Sequence, residues 1–234
     1  MSKNATGNEF DAYRNSYSEA VNNAISFSGL KVDFFTRAKA ARLLGLLEDR
    51  LGPTEKLSVL DVGCGIGNYH ELLRDKIGKL TGVDPSSECI DEAKLRNPGL
   101  IYRVSDGIEL PFQDGEFDAV YAICVMHHVP PANWIKFSSE LARVTRPGGV
   151  VLIFEHNPYN PLTRRAVSTC PFDEDAVLLA KKQVVEYLRG AGLRDVAGRY
   201  ILTVPAIEGV LRRVDDAFGG VPLGAQYYVL GRRQ

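Results

Sequence analysis

Val59-Leu60-Asp61-Val62-Gly63-Cys64-Gly65-Ile66-Gly67 is the stretch on which the fold turns. An apolar run of strand type ends in a carboxylate and passes into three glycines at alternate positions, and residues 68–77 follow with a helix-like pattern. Glycine lacks a Cβ and tolerates positive φ, so such a turn bends sharply and lets a ligand touch the backbone. The spacing differs from the G-x-G-x-x-G of dinucleotide sites, position 68 is Asn, and no Gly-Lys-Ser/Thr follows for a triphosphate. Asp61, just ahead of the glycines, would repel a pyrophosphate but suits an ammonium or sulfonium group. The stretch reads as part of a site for a cationic nucleoside.

Outward from it, strand and helix patterns alternate. Strands are expected at 58–62, 80–83, 101–104, 117–124 and 149–154, with helices at 68–77, 87–96 and 132–144. Repeated strand–helix units argue for a parallel sheet with helices on both faces, whose ligands sit at the carboxyl ends of the strands. Upstream, Tyr13, Tyr17, Ala20, Val21 and Ala24 recur at helical spacing from Glu9 until Gly29, and a second helix is expected over 33–50, closed by Gly52-Pro53. Residues 155–179 hold Pro158, Pro161 and Pro171, the pair Arg164-Arg165 and an acidic run from Asp173, and read as a long connection. A helix at 181–189, a strand at 199–204, a helix at 207–217 and a strand at 226–230 complete the chain.

Composition sets the bounds. The 234 residues are 45% hydrophobic and 24% charged, enough to bury the core of one large domain. A formal net charge of -1 gives no global attraction to nucleic acid. The four cysteines show no C-x-x-C spacing, so a zinc knuckle or redox pair is not expected. No apolar run reaches the ~18 residues of a membrane span and the start is not signal-like, so a cytoplasmic location is expected.

Leu60 to Gly67 resembles the first motif of the class I S-adenosylmethionine-dependent methyltransferases, and the resemblance extends over about 57–155. It implies a doubly wound, mostly parallel, seven-stranded Rossmann-like sheet with an antiparallel edge and a helical or loop cap. In one domain, 1–50 would be an N-terminal helical lid, 57–155 the cofactor core, 156–180 an acceptor cap and 181–234 the sheet edge. The implied cofactor is S-adenosylmethionine, leaving as S-adenosylhomocysteine, held by Asp61, Gly63, Gly65, Gly67, Asp84, Ser86, Asp106, Gly107, Ile108 and Ile123. Asp84 would take the ribose hydroxyls and Asp106 the adenine amine. Ser86 equally suits a helix cap. Asp114 and Asp118 read as turn and strand-edge residues, and no metal ligands are expected.

Methyl transfer from a sulfonium asks mainly for alignment, and a base only where the nucleophile must lose a proton. His156 is the leading candidate base because it ends the fifth strand and histidine titrates near neutrality. Glu155 and His127 are its rivals, and His128 reads as an oriented structural residue. Tyr159, Asn160, Arg164 and Arg165 are candidates for contact with a polar acceptor. The expected acceptor is a small molecule, a sugar or secondary metabolite, with no stable nucleic acid and a monomeric or homodimeric protein. An RNA or protein methyltransferase, or a cofactor-binding scaffold without turnover, are the alternatives.

Overall fold

The computed structural model describes residues 17–234. The strands are β1 (Ser58–Val62), β2 (Lys79–Asp84), β3 (Ile101–Val104), β4 (Phe117–Ile123), β5 (Thr145–His156), β6 (Arg194–Ile201) and β7 (Gln226–Arg232), in one sheet of order β3-β2-β1-β4-β5-β7-β6. β1 to β5 pair in parallel, and β7 runs antiparallel to both β5 and β6. The antiparallel strand therefore lies at the expected end of the sheet, one place in from its margin.

The central strands are apolar on both faces, as a sheet covered on both sides requires. Val120, Ala122, Val151, Ile153 and Val229 pack beneath helices α5 (Trp134–Val144) and α7 (Lys181–Gly190), through Phe137, Leu141, Val184 and Leu188. Their neighbours Ala119, Tyr121, Ile123, Leu152, Phe154 and Leu230 point the other way, against Leu43 and Leu47 of helix α2 (Val32–Leu51). The strand order reverses between β1 and β4, and such a switch point opens a crevice at the carboxyl ends of the strands.

Three local expectations are corrected. The helix over 68–77 shrinks to α3 (His70–Leu73), because Leu72 N bonds Tyr69 O and Lys76 N bonds Leu73 O, three-residue turns that tighten the chain out of an α-helix. The connection after β5 contains a helix, α6 (Pro161–Thr169). Asn160 caps it by accepting from Leu162 N and Thr163 N, and Pro161 stands at its first position. The strand placed at 199–204 lies earlier, at β6. Its expected end is diverted because the buried Asp215 carboxylate of α8 (Gly209–Ala217) accepts the amides of Leu202, Thr203 and Val204.

Helix α1 (Tyr17–Ile25) covers the later part of the first expected helix, and its start from Glu9, with Tyr13, lies outside the described residues. Ala24 of α1 packs on Cys170 and Phe172, so the N-terminal helix rests on the segment that follows β5. Helix α4 (Ser87–Arg96) completes the set. Among the described residues no helix is long and apolar enough to cross a membrane.

Candidate active site

A cavity of about 620 Å³ opens at the switch point, a size usual for a small-molecule site. Of the expected site residues, Asp61, Gly63, Gly65, Asp84, Asp106, Gly107, Ile108, Ile123, His127 and His156 line it. Gly67, Ser86 and Glu155 do not border the cavity. A Cβ on Gly67 would meet Asn97 Nδ2 at 2.8 Å, so that glycine serves packing between the turn and α4. Ser86 caps α4, accepting from Cys89 N at 3.0 Å.

The glycine turn is shaped for close approach. Gly63 has φ +74°, and a Cβ there would strike the Val125 side chain at 2.5 Å, while Gly65 has φ +51° with open space where its Cβ would lie. Asp84 holds the turn from β2: Oδ2 accepts from Gly65 N at 2.8 Å and Oδ1 from Ser86 N at 2.9 Å. Asp106 Oδ1 accepts from Ile108 N and Glu109 N at 2.8 and 2.7 Å. Those backbone donors, Glu109 first, hold its pKa below the usual carboxylate value. An open glycine face, a carboxylate at the end of β2 and a second after β3 fit a nucleoside laid across the strand ends.

Asp61 borders the cavity and also has a buried partner. Its Oδ2 lies 3.0 Å from Nε2 of the fully buried His70, and His70 Nδ1 lies 2.6 Å from the Tyr102 hydroxyl. Burial, and then the nearby Cys64 and Asp61, raise the Tyr102 pKa, so the phenol stays protonated. A neutral His70 can then accept from Tyr102 and donate to Asp61. The carboxylate that would face a cation is thus itself held from behind by a buried relay.

Directly after β4 the cavity is bordered by Cys124, whose φ is +57°. Lys39 of α2 is buried, with its Nζ 3.5 Å from Cys124 Sγ. Burial alone would raise the thiol pKa, but the Lys39 ammonium and then His156 outweigh it, and the pKa falls to about 7. A thiolate is the reactive form. Alkylation by iodoacetamide is therefore expected to label Cys124 first, with a rate rising through about pH 7. Lys39→Met should slow labelling at neutral pH by about tenfold, since its charge favours the thiolate. Peptide mapping reads this directly, and a midpoint near 9 would contradict the ion pair.

His156 ends β5, half-buried, with Nδ1 3.4 Å from Gln226 Nε2. Glu155 is turned away from the cavity. Its Oε2 lies 2.5 Å from His127 Nδ1, and its Oε1 accepts from Met126 N at 2.8 Å. Burial works against the ionised carboxyl, yet His127 and then His156 hold the Glu155 pKa below its ordinary value. For His127, burial is outweighed by Glu155 and Asp173, and its pKa rises well above the ordinary value. The expectation that Glu155 meets the acceptor is corrected: the side chain is spent on orienting His127. Asn157 likewise ties down its loop, donating to Pro222 O and Gly224 O. Of the other polar candidates after β5, Asn160 borders the cavity, whereas Tyr159, Arg164 and Arg165 do not. Lys39, Cys124, Asp173 and Gln226 border it without having been singled out as site residues. A lysine inside the apolar stripe Ala38, Ala40, Leu43 is the one sequence signal that pointed to any of them.

Comparison with known proteins agrees with this geometry. Residues 60–153 match the family model described as a methyltransferase domain. The sterol 4-C-methyltransferase of Caenorhabditis elegans is 34% identical over 115 residues, covering 47% of this chain and 34% of that protein. The demethylmenaquinone methyltransferase of Beutenbergia cavernae is 38% identical over 115 residues, covering 48% and 47%. The chain thus spans between about a third and a half of the length of these curated relatives. Among solved structures, a Thermotoga maritima protein described as an S-adenosylmethionine-dependent methyltransferase, possibly acting on histamine, superposes with a TM-score of 0.69 at 17% identity, covering 98% of this chain and all of that one. The geranyl diphosphate C-methyltransferase of Streptomyces coelicolor gives 0.57 at 19% identity, covering 82% and 79%. The matched segment runs from β1 to β5, the strands whose ends build the cavity, and over that segment the chain is similar to methyltransferase domains.

Proposed function

We propose that this protein transfers a methyl group to a small, largely apolar acceptor through a single polar atom. The observation that carries the reading is the lining of the cavity beyond the glycine turn. Phe27, Leu30, Phe34, Val167 and Phe172 wall it, and Lys39, His127 and His156 are among the polar groups that border it. An apolar wall with few convergent polar groups selects an apolar body and orients one reactive atom. A polyhydroxylated sugar would leave most of its hydroxyls without partners, so a prenylated, polyketide or other secondary metabolite suits the space better. Relatives named for sterol and demethylmenaquinone methylation point the same way.

S-adenosylmethionine, when bound, supplies an electrophilic methyl group on a sulfonium that leaves as a neutral thioether. Asp84 and Asp106 would hold its nucleoside, and the open face of Gly65 would admit it against the backbone. His156 is positioned to take the acceptor's proton, and α1 with the segment after β5 to exclude water over it. Enclosure and alignment of the reacting atoms supply several kcal/mol of the barrier reduction.

The test is a panel of apolar phenols, hydroquinones and hydroxylated prenyl compounds incubated with methyl-labelled cofactor, beside sugars, RNA and peptides. Label is expected in one of the apolar classes. Label entering only sugars, RNA or peptide would overturn the acceptor reading, and tight cofactor binding without transfer to any class would favour a scaffold.

A further inference from the structure

We propose that His127, His128 and Asp173 form a site for one divalent metal of the zinc class, its open position facing the cavity. The short turn Met126–His128 follows β4 and carries both histidines, whose ring centroids lie 4.1 Å apart. Asp173 comes from the turn Pro171–Asp173, beyond α6. Its Oδ1 lies 3.4 Å from His127 Nε2 and 3.5 Å from His128 Nε2. The three donor atoms lie within 4.8 Å of one another. Around a tetrahedral ion with bonds of ~2.0–2.1 Å, donors are separated by roughly 3.3–3.4 Å, so two edges of the site are already at that spacing.

A second feature points to a cation. Glu155 holds His127 at Nδ1, the carboxylate–histidine arrangement that fixes the tautomer of a metal-ligating imidazole. When a metal is bound, the proton on Nδ1 stays toward Glu155 and Nε2 turns its lone pair to the ion beside the Asp173 carboxylate. His127 Nε2 is buried and has no hydrogen-bond partner among the described residues. A cation between Nε2 and Asp173 Oδ1 would give both atoms a partner. Two imidazoles and one carboxylate suit zinc or its neighbours in the first transition row, whereas magnesium takes oxygen ligands.

All three residues border the cavity, so the remaining coordination position opens where the acceptor would lie. Three protein ligands with a vacant fourth position are the pattern of a catalytic zinc. There the ion would bind an acceptor hydroxyl and make its proton easier to remove. That role rests on the reading under Proposed function, but metal binding itself does not.

The test uses the tag-free full chain, stripped with a chelator and dialysed against zinc, then separately titrated with cobalt(II), with neither cofactor nor acceptor present. One equivalent of zinc by elemental analysis and a visible cobalt spectrum of tetrahedral intensity are expected. Asp173→Asn and His128→Ala should each weaken zinc binding at least 100-fold with the far-ultraviolet spectrum kept. Glu155→Gln should weaken it by about 10–100-fold, as loss of a supporting carboxylate does. Absence of stoichiometric metal in the parent chain, an octahedral cobalt spectrum, or binding unchanged in folded Asp173→Asn and His128→Ala would overturn the site. The parent spectrum decides the matter even where a variant fails to fold. Because no turnover is read, failure here is separable from failure of the methyl-transfer reading.

Discussion

His156→Ala is expected to lower turnover by about 10²–10⁴-fold once an acceptor is identified, the range for loss of a positioned general base, with affinity for S-adenosylhomocysteine nearly unchanged. Three features of the site support this. The ring closes β5 at the sheet's carboxyl edge, it borders the cavity, and its centroid lies 5.2 Å from that of His127. Its Nδ1 faces the Gln226 amide at 3.4 Å, and Gln226 Oε1 is buried without a hydrogen-bond partner. Rotating that amide by a half turn lets Oε1 accept the Nδ1 proton, which leaves the Nε2 lone pair for the substrate. Gln226→Leu should therefore reduce turnover by about tenfold through lost orientation, less than removal of the ring itself.

Added imidazole separates a base from a structural ring. Partial recovery of His156→Ala by imidazole, absent in His127→Ala, is the expected pattern. Near-normal turnover in His156→Ala with a large loss in His127→Ala would move the base to the His127–Glu155 pair. Near-normal turnover in both would leave alignment as the whole of catalysis.

The parts of the site legible in the sequence are those built from contiguous residues. The apolar run before Gly63, the acidic ends of β2 and β5 and the order of strands all follow from local pattern, because a parallel strand buried on both faces is a short apolar word. Helix α6 was legible too, since Asn160-Pro161 is a start signal, but the neighbouring prolines drew the segment toward a loop. What the pattern does not carry is pairing across the chain. Asp61 meets His70, Lys39 meets Cys124 and Asp173 meets His127 only after the sheet has brought distant segments together. Asp61 shows the consequence. Its type suggested a carboxylate facing a cationic ligand, and the fold adds a buried histidine on its Oδ2, a partner that no spacing rule identifies.

Asp84→Ala carries the second large effect, and the structure changes its expected form. Loss of charged hydrogen bonds to the ribose should cost about 1.5–3 kcal/mol of cofactor binding, or roughly 10–150-fold in Kd. The carboxylate also accepts the amides of Gly65 and Ser86, and only 8% of the residue is exposed. Removing it strands both amides and loosens the glycine turn, so a further loss of about 1–3 kcal/mol in fold stability is expected. Urea denaturation and calorimetry with S-adenosylhomocysteine measure the two effects separately. Ser86→Ala is the control, since Ser86 caps α4 without bordering the cavity. It should cost about 1 kcal/mol of stability, the usual value of a lost cap, and change cofactor affinity little. Equal affinity in a folded Asp84→Ala would remove the residue from the cofactor site. An affinity loss in Ser86→Ala as large as in Asp84→Ala would show that the turn's order, rather than contact with the ribose, governs binding.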